Sequence, residues 1–106
     1  MYIQLAQIQL REGVDERALL AASEAFQAGF VNKQKGILKR ILLRGVHGSY
    51  ADLVFFTSKE DAERVAEAEA ASEACREIFK IMQPLHPSAP DLGVLSFEPM
   101  KTYESR

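Results

Sequence analysis

The chain is expected to fold as an α+β domain of strand-helix-strand-strand-helix-strand order, built on a four-stranded antiparallel sheet. Three observations predict it. Short apolar runs bounded by glycine or proline alternate with two longer amphipathic stretches. Two of the short runs are joined by a five-residue loop containing glycine, which reads as a hairpin. The 106 residues, 47% hydrophobic and 26% charged, suffice for one core and leave no room for a second, so a single domain spans 1–106.

The first strand covers 2–10, where glutamines alternate with apolar side chains before the turn-like Arg11-Glu12-Gly13. Its phase changes midway: Ile3 and Leu5 point one way, Ile8 and Leu10 the other, so either a bulge intervenes or both faces are covered. Asp15 is placed to cap the first helix, with Val14 packing onto Leu19. Leu19, Leu20, Ser23, Phe26 and Phe30 form its apolar side, and it ends near Gly29.

The second strand, 36–44, and the third, 50–56, flank the loop Gly45-Val46-His47-Gly48-Ser49. Neither alternates cleanly, so neither suits a sheet with one wet face. Ser58 caps the next helix, with Asp61 able to return the bond, and Ala62, Val65 and Ala66 begin its apolar stripe. Residues 67–71 are helical by propensity but weakly apolar and cross a shallow part of the core; Ser72 begins a separate turn. Cys75, Ile78, Phe79 and Met82 resume the buried pattern until Pro84 stops the helix. A proline-rich loop leads to a last strand at 92–97, which Pro99 confines to an edge or ends.

This order closes most simply into a ferredoxin-like sheet with both helices on one face. The other face is then apolar and bare, a patch larger than monomers tolerate. A second copy packed sheet to sheet about a two-fold axis is the simplest cover, which makes the expected partner a homodimer.

Thirteen basic against fifteen acidic residues, a net charge of -2 and a pI near 5.7 argue against nucleic acid or an anionic membrane as partner. One cysteine excludes an internal disulfide, and two histidines with one thiol make a structural zinc site a poor expectation; no metal and no cofactor are expected. Neither a cationic leader nor a long apolar run opens the chain, so a cytoplasmic location is expected.

Gln34-Lys35-Gly36-Ile37-Leu38, then Gly48-Ser49-Tyr50-Ala51-Asp52-Leu53-Val54-Phe55-Phe56, then Ser58-Lys59-Glu60-Asp61-Ala62 follow one another in a spacing that covers most of the chain. That layout resembles the dimeric α+β barrel superfamily, which includes antibiotic-biosynthesis-type monooxygenases and haem-degrading enzymes. It matches the superfamily's Gly-Ile lead-in to strand two, its Gly-x-Tyr hairpin and its Ser-x-Glu-x-Ala helix start. The resemblance implies a homodimer with a small-molecule pocket between sheet and helices in each subunit. The haem-degrading branch uses an Asn, a Trp and an axial His; this chain has no Trp, and its one Asn, Asn32, follows helix one. Cofactor-independent oxygenation of a small aromatic or quinol-type molecule is the activity the resemblance leaves. The alternative is a non-enzymatic homodimeric small-molecule-binding protein of the same fold.

Proton chemistry of that kind needs a group that titrates near neutrality, so His86, between Leu85 and Pro87, and His47, in the glycine-flanked hairpin loop, are the catalytic candidates. Tyr50, Asp52, Arg40 and Gln4 are the substrate-binding candidates, although cross-strand pairing is the commoner reason for an Arg and an Asp on neighbouring strands. Arg44 also falls on strand two. Cys75, on an apolar stripe, reads as a small core residue. Lys33, Lys35, Lys39, Arg40 and Arg44 invite an RNA-recognition reading, since such modules share this element order, but Asp52 stands where a stacking aromatic belongs. The acidic run from Glu60 to Glu77 reads as a solvated helix face, with Glu60 and Arg64 as a favourable pair.

Overall fold

A computed structural model describes residues 1–83 and 93–105. The elements are β1 (Tyr2–Ile8), α1 (Glu16–Gly29), β2 (Ile37–Arg44), β3 (Tyr50–Phe56), α2 (Lys59–Ala70), α3 (Glu73–Phe79) and β4 (Val94–Phe97). The strands form one antiparallel sheet in the order β2-β3-β1-β4, the predicted ferredoxin-like topology. Among the described residues no helix is long and apolar enough to cross a membrane.

β1 pairs with β3 without interruption from Tyr2 opposite Phe56 to Ile8 opposite Tyr50. No bulge intervenes, so the strand is two-faced: Tyr2, Gln4, Ala6 and Ile8 face the helices, Ile3 and Leu5 the open side. The strand is shorter than the expected 2–10. β4 starts opposite Ala6, and beyond Ile8 the chain turns to the segment after α3: Gln83 N–H donates to Gln9 O at 2.7 Å and Arg11 N–H to Ile81 O at 3.0 Å.

The bulge lies in β2, between Ile37 and Lys39. It takes Leu38 out of the ladder, so Ile37 shares the helix-facing row with Arg40, Leu42 and Arg44 while Lys39, Ile41 and Leu43 face the other way. Just before it, Gly36 has φ +95, and a Cβ there would stand 2.5 Å from Asp61 Cγ. Only glycine meets both demands.

Both caps form, with Asp15 Oδ1 accepting from Ala18 N–H at 2.9 Å and Ser58 Oγ from Asp61 N–H at 3.1 Å, but Asp61 does not return the bond: its carboxylate accepts from Thr57 Oγ1 and Arg64 Nη2. Arg64 pairs with Asp61 three residues before it and not with Glu60. The predicted break at Ser72 is real, its hydroxyl accepting from Cys75 N–H at 3.3 Å to start α3. Three stripe assignments fail: Leu20 and Phe79 are each 49% exposed, and Ala66 also faces solvent. The core gathers Phe30, Val31, Phe56, Ala62, Val65 and Cys75, with Tyr2, Phe26, Ile37 and Val54 packed against it.

Candidate functional site

Fully apolar rows would close the space between sheet and helices. β1 instead offers Gln4 and Ala6 there, β2 and β3 offer Arg40 and Asp52, and α2 offers Glu69. The small and polar side chains do not fill the gap that Phe26, Phe30, Val54, Phe56 and Val65 frame, and a cavity of about 480 Å³ remains. Gln83 and Gly93 also line it.

Arg40 and Asp52 are the best-shielded charges in it, with side chains 8% and 13% exposed and a 2.9 Å ion pair from Nη1 to Oδ2. The guanidinium also grips α1: Nε donates to Gln27 Oε1 at 3.1 Å, and Nη2 to Ser23 O and Oγ at 3.0 and 2.8 Å. Its plane lies over Phe26, 5.2 Å from the ring centre. These bonds tie helix to sheet and explain Ser23, a buried polar residue on an apolar stripe. Removing either charge would strand the other, a loss of about 3–5 kcal/mol for a buried pair.

Asp52 is nonetheless not fully satisfied. Among the described residues its Oδ1 is buried without a hydrogen-bond partner. Burial pushes its carboxyl above the usual range despite the opposing pull of Arg40. Glu69 is affected more: burial, reinforced by the charge of Asp52, pushes it up to about 7. It is thus a carboxyl poised near neutrality inside an apolar chamber, the environment that general acid-base chemistry uses.

Of the residues singled out in the sequence, Arg40, Asp52 and Gln4 come together here, with Gln4 Nε2 donating to Ser96 Oγ across the strands at 3.4 Å. Tyr50 stands apart: its hydroxyl donates to Glu16 Oε1 at 3.2 Å, beside the Arg44–Glu16 ion pair at the start of α1. His47 is exposed in the hairpin loop, with φ 61 in the left-handed region, away from the cavity lining. His86 lies outside the described residues. Glu69 was missed, because it reads with the other acidic residues from Glu60 to Glu77 as part of one solvated helix face. The signal was present, since Glu69 follows Ala62 by seven positions and Val65 by four, on the same helical stripe. Among the described residues no cluster of three His, Cys, Asp or Glu side chains is placed to hold a metal.

No protein-family model and no curated protein sequence matches the chain. Solved structures do. A mutant form of SnoaB, a cofactor-independent oxygenase from Streptomyces nogalater, superposes with TM-score 0.70 at 12% identity, over 98% of this chain and 97% of its own. Rv0793 from Mycobacterium tuberculosis gives 0.65 at 13%, over 97% and 98%. A mutant form of MhuD, with two manganese protoporphyrin IX bound per active site, gives 0.64 at 17%, over 99% and 100%. At such identities the likeness is one of fold, and that fold is the one the sequence resemblance implied.

Proposed function

We propose that the protein is a homodimeric, cofactor-independent, monooxygenase-like protein that acts on a small aromatic or quinol-type molecule in the cytoplasm. The observation that carries this reading is the cavity: about 480 Å³, framed by aromatic and aliphatic side chains, with Arg40, Asp52 and Glu69 as the ionisable groups among its described residues. Such a chamber suits a ring system with few polar groups. The shared fold with SnoaB, a cofactor-independent oxygenase, supports the reaction class.

The chemistry asks the protein for little beyond binding, exclusion of water and movement of a proton. Deprotonation makes a quinol electron-rich enough to reduce dioxygen. A quinol plus dioxygen balances as a hydroxyquinone plus water, so no outside reductant is required. His86 is the base we assign to this step; it follows Gln83 by three residues and precedes Gly93 by seven, and both of those line the cavity.

Oxygen uptake by the purified protein with a panel of quinols and hydroxylated naphthalenes tests the reading. Uptake is expected with at least one of them and is expected to vanish in His86→Ala. Unchanged turnover in that variant discards His86 as base. Tight binding of the panel without uptake discards catalysis and leaves a small-molecule-binding protein.

A further inference from the structure

We infer that the cavity selects neutral ligands that donate a hydroxyl hydrogen bond, with Asp52 Oδ1 as acceptor, and refuses ligands that carry a carboxylate. This rests on the cavity being the ligand seat. Three observations lead to it.

First, Arg40 keeps at most one N–H, on Nη1, for an anion. Its Nε, Nη1 and Nη2 already serve Gln27, Asp52 and Ser23, and the charge is matched by Asp52 at 2.9 Å. An arginine that captures a ligand carboxylate needs its two-pronged edge free. Here that edge faces helix α1.

Second, Asp52 lines the cavity and has an oxygen with no partner among the described residues, closed off as the side chains stand and reached by a ligand donor once the carboxylate turns toward the cavity. A buried acceptor gains most from a donor that reaches it, and a ligand hydroxyl is such a donor. Gln4, whose amide reaches Ser96, and Gln7 are the polar residues of β1 in the lining.

Third, among the described residues the remaining ionisable group in the lining is another carboxyl. Glu69 on α2 faces Asp52 on β3 and Arg40 on β2; α1 presents Phe26, Phe30 follows just past its end, and Cys75 of α3 lies close enough to feel its charge. The fold already resists ionising Glu69. A ligand carboxylate placed beside two like groups meets that resistance again.

Titration of naphthalene fluorescence near neutral pH reads this directly, since the chain has no Trp to compete. The probes are 2-naphthol, its methyl ether and 2-naphthoate. In the wild-type protein 2-naphthol is expected to bind about ten-fold more tightly than the ether, with naphthoate weakest. Asp52→Asn can keep an oxygen toward Arg40 and turn an NH2 into the cavity, so the order of naphthol and ether should reverse. Should that variant not fold, Glu69→Gln serves: naphthoate should gain several-fold while the naphthol-to-ether ratio stays. Equal binding of naphthol and ether, or tighter binding of naphthoate, overturns the inference and leaves the cavity as a ligand seat. Absence of binding by all three overturns the inference together with the function proposed above.

Discussion

Glu69 destabilises the fold when it is charged. Its carboxyl titrates at about 7 in the folded chain against an ordinary value of 4.5, because burial and the neighbouring Asp52 both disfavour the ion. A group whose pKa is raised on folding takes up a proton as the chain folds, so its stabilising contribution is complete at low pH. That contribution is lost as pH rises from about 4.5 through about 7. At 1.36 kcal/mol per unit the whole effect is about 3 kcal/mol. Urea unfolding of wild type and Glu69→Gln should therefore diverge with pH: nearly equal below the ordinary carboxylate range, the variant more stable by up to about 3 kcal/mol above neutrality. Glu16, Asp61 and Glu73 are held low, chiefly by hydrogen bonds from Arg44, Thr57 and Arg76, and so have the opposite sign. They are common to both proteins and cancel in the difference. A gap that does not change with pH would mean that Glu69 is solvated, as its acidic neighbours suggested in the sequence. Residue identity misled there and helical phase did not: seven positions after Ala62 the helix faces the cavity, whatever side chain stands there.

At the level of elements, most of the plan was legible in the sequence, for reasons that differ from one element to the next. β3 was readable to the residue because a tight loop and a serine cap bracket it, and Tyr50–Phe56 is what lies between them. β2 was not, because Ile-Leu-Lys-Arg-Ile-Leu-Leu-Arg places apolar side chains in both phases and so conceals a bulge. The cavity, which the family resemblance implied between sheet and helices, is invisible to the strand and helix patterns alone for a related reason: it arises where Ala6 and Gln4 on β1 face Glu69 on α2, and weak positions on separate elements leave no mark in any one stretch. The break between α2 and α3 was marked, since Ser72 offers a cap where apolar spacing resumes. That cap matters beyond its own turn. α3 is only seven residues long, too short to persist alone, and it delivers Cys75 and Ile78 to the core and Phe79 to the cavity wall. Ser72→Ala is expected to cost about 1 kcal/mol, as a lower urea midpoint with unchanged slope. A midpoint equal to wild type would show that packing of Cys75 and Ile78 alone sets where the helix starts.

For the whole molecule the decisive feature is the face of the sheet without helices. Ile3 and Leu5 of β1, Ile41 and Leu43 of β2, Leu53 and Phe55 of β3, and Leu95 and Phe97 of β4 all point to it, as the strand registers require. Phe97 is 50% exposed, Leu95 44%, Ile41 38% and Leu43 37%, and Lys39 lies over Phe55 at 4.8 Å. So continuous an apolar surface exceeds what lone chains keep in water, and a two-fold partner presents the same surface in return. The cavity lies on the opposite side of the sheet, so association would leave it free. Because a two-fold repeats every substitution across the interface, one charge set in this face is met by its own copy. Sedimentation of the wild-type protein is expected to give twice the 11.8 kDa chain mass across a wide concentration range. Ile41→Glu changes a side chain outside the helix-packed core and should give a folded species of 11.8 kDa with an unchanged circular dichroism spectrum. A wild-type monomer at every concentration would overturn the dimer and hand this face to some other cover, a single-stranded nucleic acid among them, since base stacking on Phe55 and Phe97 would then have an open platform.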